Sequence, residues 1–141
     1  MTLATIREGD QVPPMSWTID TTQLVKFAAV AEDFARQHWD QAYMASLGFP
    51  SVIVHGWLTL AHMCQSVTAW LPPEAATILG YDARHRRPTF PGLLTCGGHV
   101  TACANQNGRR ILSLDLWAKN ENGEITTSGT MRVALEDETL R

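Results

Sequence analysis

Residues 33–40 read Asp33-Phe34-Ala35-Arg36-Gln37-His38-Trp39-Asp40, and residues 52–59 read Val52-Ile53-Val54-His55-Gly56-Trp57-Leu58-Thr59. The first segment sets a carboxylate and an imidazole five residues apart in a loop; the second sets a glycine at the head of a long apolar run. From His55 to Leu71, residues such as Trp57, Leu58, Leu60, Met63, Val67 and Trp70 cover most of a helix's circumference. That pattern predicts a helix buried on more than one side, ended by Pro72-Pro73.

Working outward, Asp40 is a good N-cap for a short helix from Gln41 to Leu47, with Gly48 as its stop. Val52–Val54 is a brief extended run after Pro50. Upstream, Asp20 and Gln23 form a capping arrangement, and Leu24, Phe27, Ala28 and Ala31 place an amphipathic helix over residues 22–32. Residues 1–16 read as an irregular lead-in closed by Pro13-Pro14, and Ser16–Ile19 as a short strand. Downstream, Thr77–Arg87 predicts one strand, closed by Pro88 and the Pro91-Gly92 turn. Leu94, Cys96, Val100 and Ala102 alternate in a second, and Leu112, Leu114, Leu116 and Ala118 in a third. Ile125, Met131, Val133 and Leu135 share one face of a last strand. Asn105–Gly108 and Asn120–Gly123 mark the turns. Three or four antiparallel strands following one buried helix predict a meander wrapped around that helix.

The chain has 141 residues, 45% hydrophobic and 18% charged, so a single domain over 1–141 with its own core is expected. A net charge of -3 argues against a nucleic-acid binder. Cys64, Cys96 and Cys103 are odd in number and lack C-x-x-C spacing, which disfavours a disulfide framework or a metal site and suits a reducing cytoplasm. The first 16 residues do not resemble a signal peptide. No stretch approaches the roughly 18 apolar residues of a membrane span.

In order and residue type, the chain resembles the MaoC-like, hydratase-2 branch of the hot-dog fold. Asp33, His38 and Asp40 match that family's Asp-x-Asn-Pro-x-His-x-Asp motif, and His55-Gly56 its His-Gly pair opening the central helix. Arg86-Arg87-Pro88-Thr89-Phe90-Pro91-Gly92 is similar to its Arg-Pro-x-x-Pro-Gly segment. The resemblance covers roughly residues 18–136 and implies an α+β fold, a curved antiparallel sheet around a long central helix. The family's Asn-Pro is replaced by Ala35-Arg36, as in some hydratase subunits of steroid side-chain breakdown that work in heteromers, and Leu93 stands where an Asp often follows the Pro-Gly.

The reaction the resemblance implies is addition of water across a trans-2-enoyl thioester to give the (R)-3-hydroxyacyl thioester, or the reverse, a step of fatty-acid metabolism. Asp33 and His38 would hold and deprotonate the water and return a proton to C2, with either as the base. The Gly56 amide, at the first turn of the central helix, would receive the charge on the thioester oxygen. Trp39, His55, Trp57 and Cys64 are candidates to shape the acyl site, although a helix-start histidine bonded to backbone and a plain buried thiol explain His55 and Cys64 as well. Arg86 and Arg87, with Arg84, Arg109 and Arg110, could meet coenzyme A phosphates or simply form a solvated strand face. Asp40 reads as a structural cap. No metal is expected, and no cofactor beyond the coenzyme A or acyl-carrier thioester that is part of the substrate. The expected assembly is a homodimer or dimer of dimers, with a heterodimer open. Two rivals remain: a non-catalytic, thioester-binding subunit of a heteromer, and a hot-dog thioesterase, which often needs a carboxylate on the central helix. Residues 57–71 contain no Asp or Glu.

Overall fold

The structure, a computed structural model, describes residues 3–71 and 73–136. Its elements run β1 (Gln11–Ile19), α1 (Thr21–Ala31), α2 (Gln41–Ser46), α3 (Gly56–Trp70), β2 (Ala76–His85), β3 (Gly92–Gln106), β4 (Arg109–Lys119) and β5 (Ile125–Leu135), with short 3-10 turns at Leu3–Thr5 and Arg36–His38. The five strands form one antiparallel sheet in the order β1-β3-β4-β5-β2. This is the expected α+β arrangement, with α3 packed on the sheet. Leu60, Met63 and Val67 of α3 join Leu94, Cys96, Leu112, Leu114, Leu116 and Met131 in a single buried cluster. Each such side chain contributes about 1.5–3 kcal/mol when fully buried.

The local chemistry follows the residues. Asp20 caps α1 through a reciprocal pair: its Oδ1 accepts from Gln23 N at 2.8 Å, and its own N–H donates to Gln23 Oε1 at 3.2 Å. Asp40 Oδ1 accepts from Tyr43 N at 2.9 Å and starts α2. Asn107 and Gly108 both have positive φ (52° and 77°), as a two-residue hairpin between β3 and β4 requires.

Three expectations change. The first strand begins at Gln11 and includes Pro13-Pro14; it is an edge strand with an irregularity between Val12 and Met15, where prolines without an N–H are tolerated. The meander covers only β3-β4-β5, because β2 crosses to the far side of β5. Within this single chain α3 is buried along one face only; Trp57 is 65% exposed and Ala61, Gln65 and Ala69 also face outward. Val52–Val54 forms no strand but is tied by single hydrogen bonds to its neighbours. The α3 helix ends at Trp70 as expected; Pro72 lies outside the described residues.

Gly98 sits where β3 is held between β1 and β4. A Cβ there would lie 2.2 Å from the Asp115 carbonyl oxygen, whereas one on Gly80 of β2 meets nothing within 4 Å. Gly98→Ala therefore lowers the midpoint of thermal unfolding by several degrees, as about 1–3 kcal/mol of overpacking would, and Gly80→Ala does not; equal midpoints would remove the steric argument.

His62 lies on the buried face of α3, its ring 4.5 Å from that of Trp17, with Nδ1 3.3 Å from Gln65 Oε1 and Nε2 buried without a partner among the described residues. Burial pushes its pKa down, opposed by the Gln65 contact. The unfolded chain then binds the proton more readily than the folded one, so stability is complete above the ordinary histidine value of about 6.5 and declines as pH falls below it. Urea midpoints measured from pH 7.5 to 5 should fall, with a shallower slope for His62→Phe; an unchanged slope counts against this account.

Candidate active site

The site is built where three chain segments converge on the N-terminus of α3. The α1 helix ends as Glu32 turns left-handed (φ 54°), and the Asp33 N–H donates to Ala28 O at 3.2 Å. This reversal delivers Asp33, whose carboxylate is 40% exposed and accepts from Ala35 N at 3.3 Å. The following 3-10 turn brings in His38, which is buried. His38 Nδ1 lies 2.7 Å from Ile53 O. A carbonyl only accepts, so Nδ1 carries the hydrogen and Nε2 alone is left to exchange protons. Nε2 stands 3.7 Å from Asp33 Oδ2, too far for a direct hydrogen bond and suited to a bridging group.

His55 supports this pair from below. Its ring stacks on His38, with centroids 3.8 Å apart and planes at 18°, and packs 5.0 Å from Phe27 of α1. Its Nε2 donates to the Asp33 carbonyl at 3.2 Å, and its Nδ1 is buried without a partner among the described residues. Burial lowers the His55 pKa, the Asp33 carbonyl opposes the shift, and the neighbouring His38 reinforces it. The outcome favours a neutral imidazole that ties the start of α3 to the Asp33 backbone.

In front of His38 lies a cleft of about 420 Å³. It is lined by Gln37 and His38, by Ile53, Val54, Gly56 and Thr59, and by the segment from His85 to Thr89. These segments are sewn together by backbone: Ile53 N donates to Gln37 O at 2.8 Å and Val54 N to Thr89 O at 2.8 Å. Gly56 is the first residue of α3, so its amide is among those without an intrahelical partner, at the positive end of the helix dipole.

The segment that lacks the family's Asn-Pro is held another way. Arg36 Nη2 and Nε bond Asp40 Oδ2 at 2.8 and 3.1 Å, and the guanidinium lies 4.3 Å above the Tyr43 ring. The Tyr43 amide, and then Arg36, keep the Asp40 carboxyl below its usual range. Asp40 is thus a cap and a clamp.

The structure brings together Asp33, His38, His55 and Gly56, with Arg86 and Arg87 on the cleft wall. Arg86 Nε donates to Ser128 Oγ at 2.8 Å and Arg87 pairs with Glu124 at 2.6 Å. Arg109 pairs with Glu136 and Arg110 donates to Leu3 O, so both are engaged at the β3–β4 end. Trp39, Trp57 and Cys64 do not line the cleft, and neither do Asp33 and His55, which adjoin it through His38. Trp39 is exposed with its Nε1 donating to Phe34 O at 2.8 Å. Cys64 is half-buried against the core, where burial raises its pKa; Cys96, fully buried, is pushed up to about 12 by burial and by Cys64. Residues that sequence reading did not single out are Gln37, Thr59, His85 and Thr89. Nothing in their spacing marked them, because sheet pairing and helix placement bring them to the cleft.

Among the described residues, Asp33, His38 and His55 form a group of metal-binding type whose donor atoms lie within 4.8 Å of one another. The two rings stack, and His38 Nδ1 and His55 Nε2 each donate to a backbone carbonyl.

Residues 5–112 match the MaoC like domain. The chain is 28% identical over 129 residues to an (R)-specific enoyl-CoA hydratase of Aeromonas caviae, covering 91% of this chain and 95% of that protein. Among solved structures, R-hydratase PhaJ1 from Pseudomonas aeruginosa superposes with a TM-score of 0.85 at 26% identity, covering 96% of this chain and 85% of that one. The ChsH1-ChsH2 complex from Mycobacterium tuberculosis shares the fold, with a TM-score of 0.80 at 22% identity over 94% of this chain and 99% of that one. With the expected sheet-and-helix architecture in place and a family match over most of its length, this chain belongs to the MaoC-like domain family, on the hot-dog fold.

Proposed function

We propose that the protein is a hydro-lyase that adds water across a trans-2-enoyl thioester to give the (R)-3-hydroxyacyl thioester, or catalyses the reverse. The observation that carries the reading is the Asp33–His38 pair at 3.7 Å, placed beside a cleft lined by the N-terminus of α3. A water between Asp33 Oδ2 and His38 Nε2 has its hydrogens directed at protein and its oxygen free to attack C3. Asp33 takes a proton from the water as the C3–O bond forms, and that same proton passes to His38 Nε2, which delivers it to C2 on the same face. Delivery of that proton to C2 leaves Asp33 ionised and Nε2 bare again, so both groups are restored. Nδ1 takes no part, because it is committed to Ile53 O. The Gly56 amide stabilises the charge that develops on the thioester oxygen, a contribution of about 3 kcal/mol for one well-placed donor. The similarity to (R)-specific enoyl-CoA hydratase supports the thioester as substrate. Arg86 and Arg87 at the cleft wall suit the phosphates of coenzyme A. No helix among the described residues is long and apolar enough to cross a membrane.

The assembly we favour is a pair of chains joined along β2. The β1 edge is blunted by Pro13-Pro14, whereas the β2 edge, although it also carries an irregularity between Ile78 and Gly80, presents exposed Leu79 and Tyr81. A second copy there would also cover the cleft beside His85–Arg87. Sedimentation should give a dimer, and the double change Leu79→Lys with Tyr81→Lys should dissociate it; a dimer that survives places the interface elsewhere.

Hydration is followed as loss of enoyl absorbance over a panel of short, long and bulky enoyl-CoA thioesters, with a thiol reagent present. Loss of absorbance without thiol release is expected; thiol release would mean a thioesterase. Asp33→Asn and His38→Ala should each lower kcat by about 10²–10⁴-fold while leaving the fold and dimer intact. Near-normal rates in both variants, on a substrate the wild type consumes, would remove the acid–base assignment.

A further inference from the structure

Gly56 owes its lack of a side chain to more than the approach of a substrate. A Cβ on Gly56 would lie 2.6 Å from His85 Nε2, 3.0 Å from its Cε1 and 3.2 Å from its Cδ2. The imidazole therefore rests against the bare face of Gly56 with Nε2 as its nearest vertex, and both residues line the cleft. His85 is the last residue of β2, and its register partner on β5 is Thr127. Thr127 is fully buried, and its Oγ1 lies 3.0 Å from His85 Nδ1. Among the described residues nothing bonds Nε2. The Arg86 N–H donates to Thr126 O at 2.8 Å, which holds the backbone immediately after His85.

We infer that His85 is a second hydrogen-bond donor to the thioester oxygen, acting beside the Gly56 amide. This rests on the hydratase reading above. With the Thr127 hydroxyl donating to Nδ1, the neutral ring carries its hydrogen on Nε2, the ring atom nearest the bare face of Gly56. Two converging donors, drawn from main chain, side chain or both, make up an oxyanion site, and each acts without reorganising as charge develops. No proton is transferred by His85: water still supplies the hydroxyl at C3, the proton at C2 still comes through His38, and the oxygen charge disappears as C2 is protonated. Thr127 is then a positioning residue that sets the ring's tautomer. The arrangement also explains why residue 56 must be glycine even before substrate arrives, since any side chain would push His85 off the helix start.

The test compares wild type, His85→Phe, His85→Gln and Thr127→Val for hydration of an enoyl-CoA thioester. Separately, the carbonyl stretch of a 13C-labelled enoyl-CoA is recorded by difference infrared spectroscopy, bound in an Asp33→Asn background that holds it without consuming it. His85→Phe, which keeps an aromatic ring without a donor, should lower kcat about 10²-fold with KM changed less than about threefold. It should also abolish part of the downshift in carbonyl frequency. His85→Gln, which keeps an N–H donor, should recover a share of both, and Thr127→Val should fall between. Unchanged kcat and carbonyl frequency in His85→Phe, in an enzyme whose wild type hydrates the thioester, overturns the His85 assignment alone. Loss of activity with an unchanged carbonyl frequency also overturns it, because a merely structural role predicts that result. Failure of the wild type on every enoyl thioester overturns the hydratase reading and this inference with it.

Discussion

The N-terminus of α3 can be offered to a cleft only because the rest of that helix is anchored in the sheet. Leu60, Met63 and Val67 are buried against Leu94, Leu112, Leu114 and Leu116, so the helix cannot slide or roll without exposing a large apolar area. The sheet meets the same demand from its side. Gly98 lets β4 approach β3 where a Cβ would strike the Asp115 carbonyl, and Gly97 does so beside the Trp117 ring. Fixing the helix fixes the direction of its first amides, and every other feature of the site is arranged around that direction.

The loop that carries the polar side chains is rigid for a different reason. It buries little apolar surface, and it is held by a short series of hydrogen bonds in which backbone and side chain alternate. His38 donates to Ile53 O, Ile53 N returns to Gln37 O, and His55 donates to Asp33 O. Each bond contributes only about 1 kcal/mol net, yet leaving any of these buried groups unpaired would cost more. The bonds also decide chemistry, since the one to Ile53 dictates which nitrogen of His38 faces the cleft. The Arg36–Asp40 pair on the rim is exposed and adds little to stability, but it closes the turn that a proline would otherwise have stiffened.

Much of this was legible in the sequence, and the legible part was local. Asp20 with Gln23, Asp40 before Gln41 and Gly48 after α2 marked helix ends because capping chemistry acts within four residues. Leu112–Leu116 announced a strand by alternation. Errors appeared where a long-range partner overrode the local signal. Pro13-Pro14 read as a break, yet an edge strand needs no N–H on its open side. Trp57 read as buried, yet apolar periodicity cannot say whether the second face of a helix meets this chain or another.

What the sequence determined by itself was the set of elements, their order and the five-residue interval from Asp33 to His38. These depend on backbone propensity, capping and hydrophobic period, all short-range properties. Tertiary structure alone decided that β2 crosses to the far side of β5, and that crossing carries His85, Arg86 and Arg87 to the cleft that His38 also lines. It also decided that His55 lies beneath His38 and that Trp39 turns away. Strand order and ring stacking are set by which surfaces can be buried together, a property of the whole chain that no window of neighbouring residues contains.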